Sequence, residues 1–141
     1  MKMCVPVLLA ALAVSGALAQ QAPAPADVEA LHRPYDEILD LYVRDGLVYY
    51  HALKQERAKF DRYVTALGEV GSDTLKSWPP DRQLAYWINA YNAFVLRTVI
   101  DGYPIRGKAP EYPSNSIRQI AGSFERRQFR AGGRMLTLDA I

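Results

Sequence analysis

The stretch "QLAYWINAYNAFVLRTVI", residues 83–100, decides the fold of this chain. Pro79, Pro80 and Asp81 precede it, and we predict Asp81 as the N-cap because its carboxylate can accept from free backbone N–H groups. Gly102 and Pro104 follow, as expected after the end of a helix. Because the apolar arc is unusually wide, the stretch predicts a central helix that is covered on more than one side.

A helical wheel assigns the residues of this helix to faces. The main apolar face, predicted to be the core face, consists of Leu84, Trp87, Ile88, Tyr91, Val95 and Val99, and the opposite side carries Tyr86, Ala93 and Arg97. Trp87 lies in the middle of the predicted core face, so truncating it to alanine should cost about 3–5 kcal/mol.

Two carboxamides, Asn89 and Asn92, lie next to this apolar face, three residues apart and flanking Tyr91. A structural role requires that both find partners, because a buried amide without one costs about 1–3 kcal/mol. On this interpretation Asn92 is buried and bonded to the backbone of the loop after Gly102 or of a later hairpin. The alternative is a site role, in which a carboxamide orients a catalytic group or a substrate carbonyl.

The pattern outside this helix predicts an α+β fold, mostly helical in its N-terminal half. Asp27 should cap a first helix with Leu31, Tyr35 and Ile38 on its buried stripe, and "HALKQERAKFDRYVTALGEVG", residues 51–71, should form a second. The extended segment "LVYY" separates the two helices. "RRQFRAGGRMLTLD", residues 126–139, predicts a short β-hairpin that turns at Gly132 and Gly133.

The first residues predict export. Lys2, the apolar run "VPVLLAALAV" and the small residues Ala17 to Ala19 form a secretory signal peptide over residues 1–19. Residues 20–27 form a Pro/Ala-rich tether, and the domain occupies residues 28–141. Cys4 is the chain's one cysteine and precedes the cleavage site, so the exported product has no thiol. We expect a periplasmic or extracellular protein without stable membrane insertion after cleavage.

Composition and motifs exclude several functions. A net charge of +2 gives no basis for nucleic-acid binding. His32 and His51 are the two histidines, and they lack metal-ligand spacing, so we predict no metal site, no cofactor and no catalytic residue within the chain. Asp36, Glu37 and Asp40 are interpreted as a solvated helix face. The partner that remains is a small-molecule or cell-envelope ligand.

Four segments in this order carry a family resemblance: "LVYYHALK", "QLAYWINAYNAFVLRTVIDGYP", "SIRQI" and "GGRMLTLDAI". With its W-I-N-x-Y-N core and Gly-Tyr-Pro stop, the chain resembles the family called domain of unknown function 547, from about Leu47 to Ile141. It departs from the family pattern at two positions. A small residue is expected at the position of His51, and an acidic residue is expected at the position of Ala140.

The resemblance implies a further helix, a strand with a histidine and a loop with a cysteine, all after residue 141. We therefore expect an incomplete domain. One functional hypothesis is the helical half of an exported hydrolase or transferase, in which Asn89 or Asn92 supports a thiol site supplied downstream. The other is a non-catalytic envelope binding or scaffolding module, with Tyr86, Tyr91 and Tyr103 as its ligand face.

We predict cleavage after Ala19, because the charged, apolar and small-residue segments of residues 1–19 follow the order of a signal peptide. Intact-mass analysis of the exported protein should give a product that begins at Gln20 and carries no lipid. A product that retains Cys4, or that carries an acyl chain, would contradict the prediction.

Overall fold

The computed structural model describes residues 27–141, so the predicted signal peptide and all of the tether except Asp27 lie outside the described residues. The predicted α+β class is confirmed. The helices are α1 (Val28–Tyr42), α2 (Tyr50–Gln55), α3 (Ala58–Glu69), α4 (Ser72–Ser77) and α5 (Pro80–Gly102). The strands are β1 (Val43–Arg44), β2 (Leu47–Val48), β3 (Gln128–Ala131) and β4 (Arg134–Thr137), joined as antiparallel pairs β1–β2 and β3–β4.

The first helix forms as predicted. The Asp27 side chain accepts a hydrogen bond from the Glu29 backbone N–H at 3.0 Å, which satisfies one of the free donors at the start of α1. The helix runs through Pro34, and the predicted stripe of Leu31, Tyr35 and Ile38 is buried. Tyr35 stacks on Tyr63 of α3 with ring centroids 4.7 Å apart, so aromatic contact joins α1 to α3.

The single helix predicted over residues 51–71 is wrong, because the chain breaks it at Glu56 and Arg57 into α2 and α3. Both side chains at the break have partners elsewhere. Glu56 accepts from the Tyr42 hydroxyl at 2.8 Å. Arg57 donates to Asp61 at 2.9 Å and pairs with Asp101 of α5 at 2.7 Å. The sequence predicted an amphipathic pattern across the break, but it did not show these long-range partners.

The ends of α5 differ from the prediction. Pro79 occupies the N-cap position and Pro80 the first helical position, where its fixed φ angle suits a helix and its missing N–H is not needed. Asp81 is therefore a residue of the first turn and not the N-cap. Gly102 is the last helical residue, and a Cβ built there would lie 2.7 Å from Ile120 Cδ1, so the close approach favours glycine.

The predicted core face of α5 is correct at Val99, which is buried, but wrong at Leu84 and Ile88, because the helix is rotated about its axis. Tyr86 and Ala93, which were assigned to the opposite side, are fully buried, as are Ala90, Phe94 and Ile100. Leu84 and Ile88, assigned to the core face, are 60% and 51% exposed, and Trp87 is half-buried. The wheel failed because α5 is apolar on both sides, so apolar residues alone do not identify the side that packs.

A hydrogen bond from a tyrosine side chain identifies the packed side. The Tyr86 hydroxyl donates to the Leu67 carbonyl of α3 at 2.8 Å and accepts from the Gly132 N–H at 3.0 Å. Tyr86 is 0% exposed. One buried hydroxyl therefore satisfies backbone groups of α3 and of the β3–β4 turn, and it ties both to α5.

The β3–β4 hairpin turns at Gly132 and Gly133, as predicted. Both residues have positive φ, +55° and +79°, which glycine adopts without strain. A Cβ at Gly132 would lie 2.8 Å from the Trp87 ring, so the turn packs directly on α5. Phe129 of β3 stacks on Phe94 with ring centroids 4.4 Å apart. The hairpin therefore covers the Tyr86 side of α5, which reinforces the rotation.

Five charged side chains form an ion-pair network where α3, α5 and the segment before β3 meet. Asp61 pairs with Arg57 and Arg97, and Asp101 pairs with Arg57, Arg97 and Arg127. Burial raises the pKa of the Asp101 carboxyl, but hydrogen bonds from Arg57 and Arg127 outweigh burial and hold that pKa below its ordinary value. The network holds the partly buried Arg97 on the core side of α5.

Replacing Tyr86 by phenylalanine should remove the bridge with little change of shape. The Leu67 carbonyl and the Gly132 N–H would lose a buried partner, so the free energy of unfolding should fall by about 2–4 kcal/mol. Urea denaturation measures this loss, provided that the dependence of the unfolding free energy on urea concentration has the same slope in the variant and the wild type. Tyr91→Phe is the control, since Tyr91 makes no side-chain hydrogen bond to a described residue, and it should change stability by less than about 0.5 kcal/mol. Equal midpoints for the two variants would contradict the bridge.

Candidate functional site

An open cleft lies between the first turns of α1 and those of α5. Its volume is about 680 Å³. Ala85 and Asn89 line the cleft from α5, four residues apart on one face. The side chains of α1 that line it include a histidine, an arginine and two carboxylates, which are His32, Arg33, Glu29 and Asp36. Most of the lining residues therefore carry polar or charged side chains, and they include one of the two asparagines noted in the sequence.

His32 is the buried polar side chain of this cleft, with 7% of its surface exposed. Its Nδ1 lies 2.8 Å from the Tyr63 hydroxyl. The Nε2 atom of His32 is also buried, and it has no hydrogen-bond partner among residues 27–141. Leaving a buried polar atom unpaired costs about 1–3 kcal/mol, so the packing alone does not account for an imidazole at this position.

The state of the His32 ring follows from its surroundings. Burial lowers the pKa of His32 below its ordinary value of 6.5, although the charge of Asp36 acts in the opposite direction. The imidazole is therefore neutral at pH 7. Burial raises the pKa of Tyr63, so its phenol remains protonated. Among the described residues, the one hydrogen-bond partner of this hydroxyl is Nδ1 of His32. If the hydroxyl donates to Nδ1, the proton of the ring is on Nε2.

The structure separates the three polar residues that the sequence nominated. Asn89 is half-buried and lines the cleft with His32. Asn92 is exposed, and Tyr91 is half-buried against the core. Neither carboxamide donates or accepts a hydrogen bond with another described residue. The prediction that Asn92 is a buried structural amide is therefore wrong, and the physical reason is the rotation of α5, which turns Asn92 to the surface beside Ile88.

Gln119 has the role that the sequence assigned to Asn92. Its side-chain amide donates to the carbonyls of Ala109, Tyr112 and Pro113 at 2.9, 2.9 and 3.3 Å, and its oxygen accepts from the Ala109 N–H at 3.0 Å. One carboxamide thus satisfies the irregular backbone of the proline-rich loop after α5. The segment "SIRQI" is typical of a helical turn capped by Ser114 or Ser116, and the structure has that turn at residues 117–119 with Ser116 as its cap. The sequence did not predict the contacts of Gln119.

The predicted aromatic ligand face is contradicted at Tyr86. Its ring is buried in the core, where its edge contacts Trp78 and Trp87. Tyr103 packs against Tyr50 with ring centroids 6.0 Å apart and is half-buried. Tyr86, Tyr91 and Tyr103 therefore do not form one exposed aromatic surface.

His32 was not predicted as a site residue, although the sequence carries a signal for it. His32 precedes Tyr35 by three residues and Leu39 by seven, so the helical period puts it on the buried side of α1. A histidine on an apolar face needs a partner or a function. His51 is exposed at the start of α2, as expected for a surface residue.

Two further features are absent from residues 27–141, the described part of the chain. No group of three or more His, Cys, Asp or Glu side chains is arranged there to hold a metal ion. No helix in that range combines the length and the apolar character needed to cross a lipid bilayer.

Truncating Gln119 and Asn92 separately should distinguish the structural amide from the exposed one. Gln119→Ala leaves several loop backbone groups without a partner, so it should lower the free energy of unfolding by about 1–3 kcal/mol. Asn92→Ala should change it by less than about 0.5 kcal/mol, because the side chain is exposed. Urea denaturation compares the two. A large loss for Asn92→Ala, with none for Gln119→Ala, would restore the prediction made from the sequence.

The stability of the protein should fall as the pH falls below about 6.5, the ordinary pKa of histidine. The pKa of His32 is lower in the folded state, so the unfolded chain binds the proton first and protonation favours unfolding. Denaturation midpoints between about pH 7.5 and pH 5 measure this window, which lies above the range in which ordinary carboxylates titrate. His51→Gln should keep this pH dependence and His32→Gln should remove it. A slope that persists in His32→Gln would assign it to another group.

The comparisons with known proteins give one family. The model described as "Protein of unknown function, DUF547" matches residues 75–141. The match contains α5, the W-I-N-x-Y-N core and the β3–β4 hairpin; the resemblance over residues 47–74 lies outside it. No curated protein and no solved structure matches the chain. The segment from Leu75 to Ile141, just under half of the chain, is therefore similar to the family of unknown function DUF547, as its sequence motifs predicted.

Proposed function

We propose that this chain is an exported protein of the cell envelope and that the cleft between α1 and α5 is its ligand-binding site. The observation that carries the proposal is the position of Asn89. Its carboxamide has no partner among the described residues and lines the same cleft as His32. An amide and a neutral imidazole that converge on one concave surface are typical of a site that orients a small polar molecule.

Export is supported by the signal-peptide pattern of residues 1–19 and by the Pro/Ala-rich tether. An envelope protein with this cleft meets peptides, sugars and their phosphates, which are rich in the donors and acceptors that Asn89 and His32 can bind. Partners of this kind agree with a chain of small net charge.

Filling the cleft tests the binding role. Ala85 is exposed and lines the cleft, so Ala85→Trp should block it without disturbing the core. Ala58→Trp is the matched control, because Ala58 is exposed on α3 and is not among the residues lining the cleft. The probes are a neutral sugar, an amino sugar, a sugar phosphate and a dipeptide, each titrated with amide chemical shifts as the readout.

At least one probe should shift the signals of Ala85 and Asn89 in the wild type and in Ala58→Trp, but not in Ala85→Trp. If no probe shifts these signals, or if Ala85→Trp binds as well as the wild type, the cleft is not the binding site.

The second candidate function is that of an envelope hydrolase or transferase, in which α5 supports a thiol site from residues after Ile141. The exposed side of α5 favours it, since Leu84 and Ile88 present an apolar surface beside the unpartnered carboxamide of Asn92. The family resemblance implies the histidine and cysteine that this candidate needs. In the product of the complete gene, Asn92→Ala should change the alkylation rate of such a cysteine, whereas Asn115→Ala, an exposed loop asparagine, should not. Equal rates for both variants, or a gene without that cysteine, would reject this candidate.

A further inference from the structure

The charges that line the cleft are unequal. Four carboxylates and two guanidinium groups line it. Arg82 is occupied, since it pairs with Glu29 at 3.0 Å and with Asp27 at 3.5 Å. This leaves Asp36 of α1 and Asp81 of α5 without an ion pair among residues 27–141. Two unpaired carboxylates therefore border one cleft from two different helices.

Arg33 does not cancel both of these charges. Arg33 forms no ion pair with a described residue, and its charge also acts on Glu37. The pKa of Glu37 is lowered mainly by Lys59, and the charge of Arg33 adds to that effect. An acidic excess near the mouth of a concave site attracts cations and repels anions. The acidic excess alone would not define a site, and the buried His32 in the same cleft is the second observation.

His32 indicates where in the cleft an oxygen atom of a ligand would lie. In the tautomer in which the Tyr63 hydroxyl donates to Nδ1, the ring proton is on Nε2, and this buried unpartnered atom is a donor for an oxygen acceptor. Asn89 offers a donor and an acceptor beside it. The lining residues thus present carboxylates for a positive group and amide and imidazole hydrogens for an oxygen.

We propose that the ligand of the α1–α5 cleft is a small organic amine, whose ammonium group lies between Asp36 and Asp81 and whose hydroxyl or carbonyl oxygen faces Asn89 and His32. This inference rests on the proposed binding role of the cleft. A cleft of about 680 Å³ is large enough for a sugar or an amino-acid amide. A metal ion fits less well, because no third ligating side chain joins these carboxylates among residues 27–141.

Matched pairs of probes test the amine directly. Glucosamine and glucose differ in an ammonium group that replaces one hydroxyl, and alaninamide and lactamide differ in the same way. Titrations at pH 7 should show that the amine of a pair shifts the Ala85 and Asn89 signals with an affinity more than about tenfold that of its hydroxyl partner. The preference should weaken as salt is added, since the carboxylates are near the surface.

Charge-removing variants identify the carboxylates. Asp81→Asn and Asp36→Asn should each weaken amine binding about fivefold and leave hydroxyl-partner binding unchanged. Asp73→Asn is the control, because Asp73 is likewise an exposed acid in the first turn of a helix and lies outside the cleft. If glucose or lactamide binds at the cleft as tightly as its amine partner, amine recognition is wrong and the binding role stands. If no probe of any class binds there, the binding role itself fails.

Discussion

The Tyr86 hydroxyl is the constraint on which the rest of the structure depends. It is buried near the start of α5, donating to the Leu67 carbonyl and accepting from the Gly132 N–H, so it fixes α5 against α3 and against the hairpin turn. Because a helix is rigid, fixing one side chain fixes the direction of all the others. Asn89 then lies toward α1, and Asn92 lies toward solvent with Ile88.

The same constraint separates two surfaces with different chemistry. On the α1 side, Asn89 lines the same cleft as His32, whose Nδ1 lies within hydrogen-bond distance of the Tyr63 hydroxyl and whose ring is kept neutral by burial. On the other side, α5 presents Leu84 and Ile88 to solvent. The proposed ligand site concerns the cleft, and the proposed thiol site concerns the exposed apolar side, so the two candidate functions use different parts of α5 and are compatible.

Local signals in the sequence were sufficient for the features that short-range chemistry decides. The Asp27 cap and the Gly132-Gly133 turn each depend on a few neighbouring residues, and both are confirmed. The rotation of α5 was not predictable in this way, because its apolar residues surround the axis and the deciding bond joins Tyr86 to Gly132, 46 residues away. The error at Asn92 followed from the rotation. The family match to residues 75–141 was predictable because the W-I-N-x-Y-N core is a specific motif.

Single-cysteine accessibility tests the rotation of α5 most directly. In a Cys4→Ser background the chain has no other thiol, so each introduced cysteine reports on its own position. Ile88→Cys and Asn92→Cys should react with a thiol reagent as fast as an unfolded chain, because both positions are exposed. Ala90→Cys and Ala93→Cys should react when the protein opens, because both positions are fully buried. Fast reaction at positions 90 and 93, with protection at 88 and 92, would contradict the structure and everything argued from the direction of Tyr86.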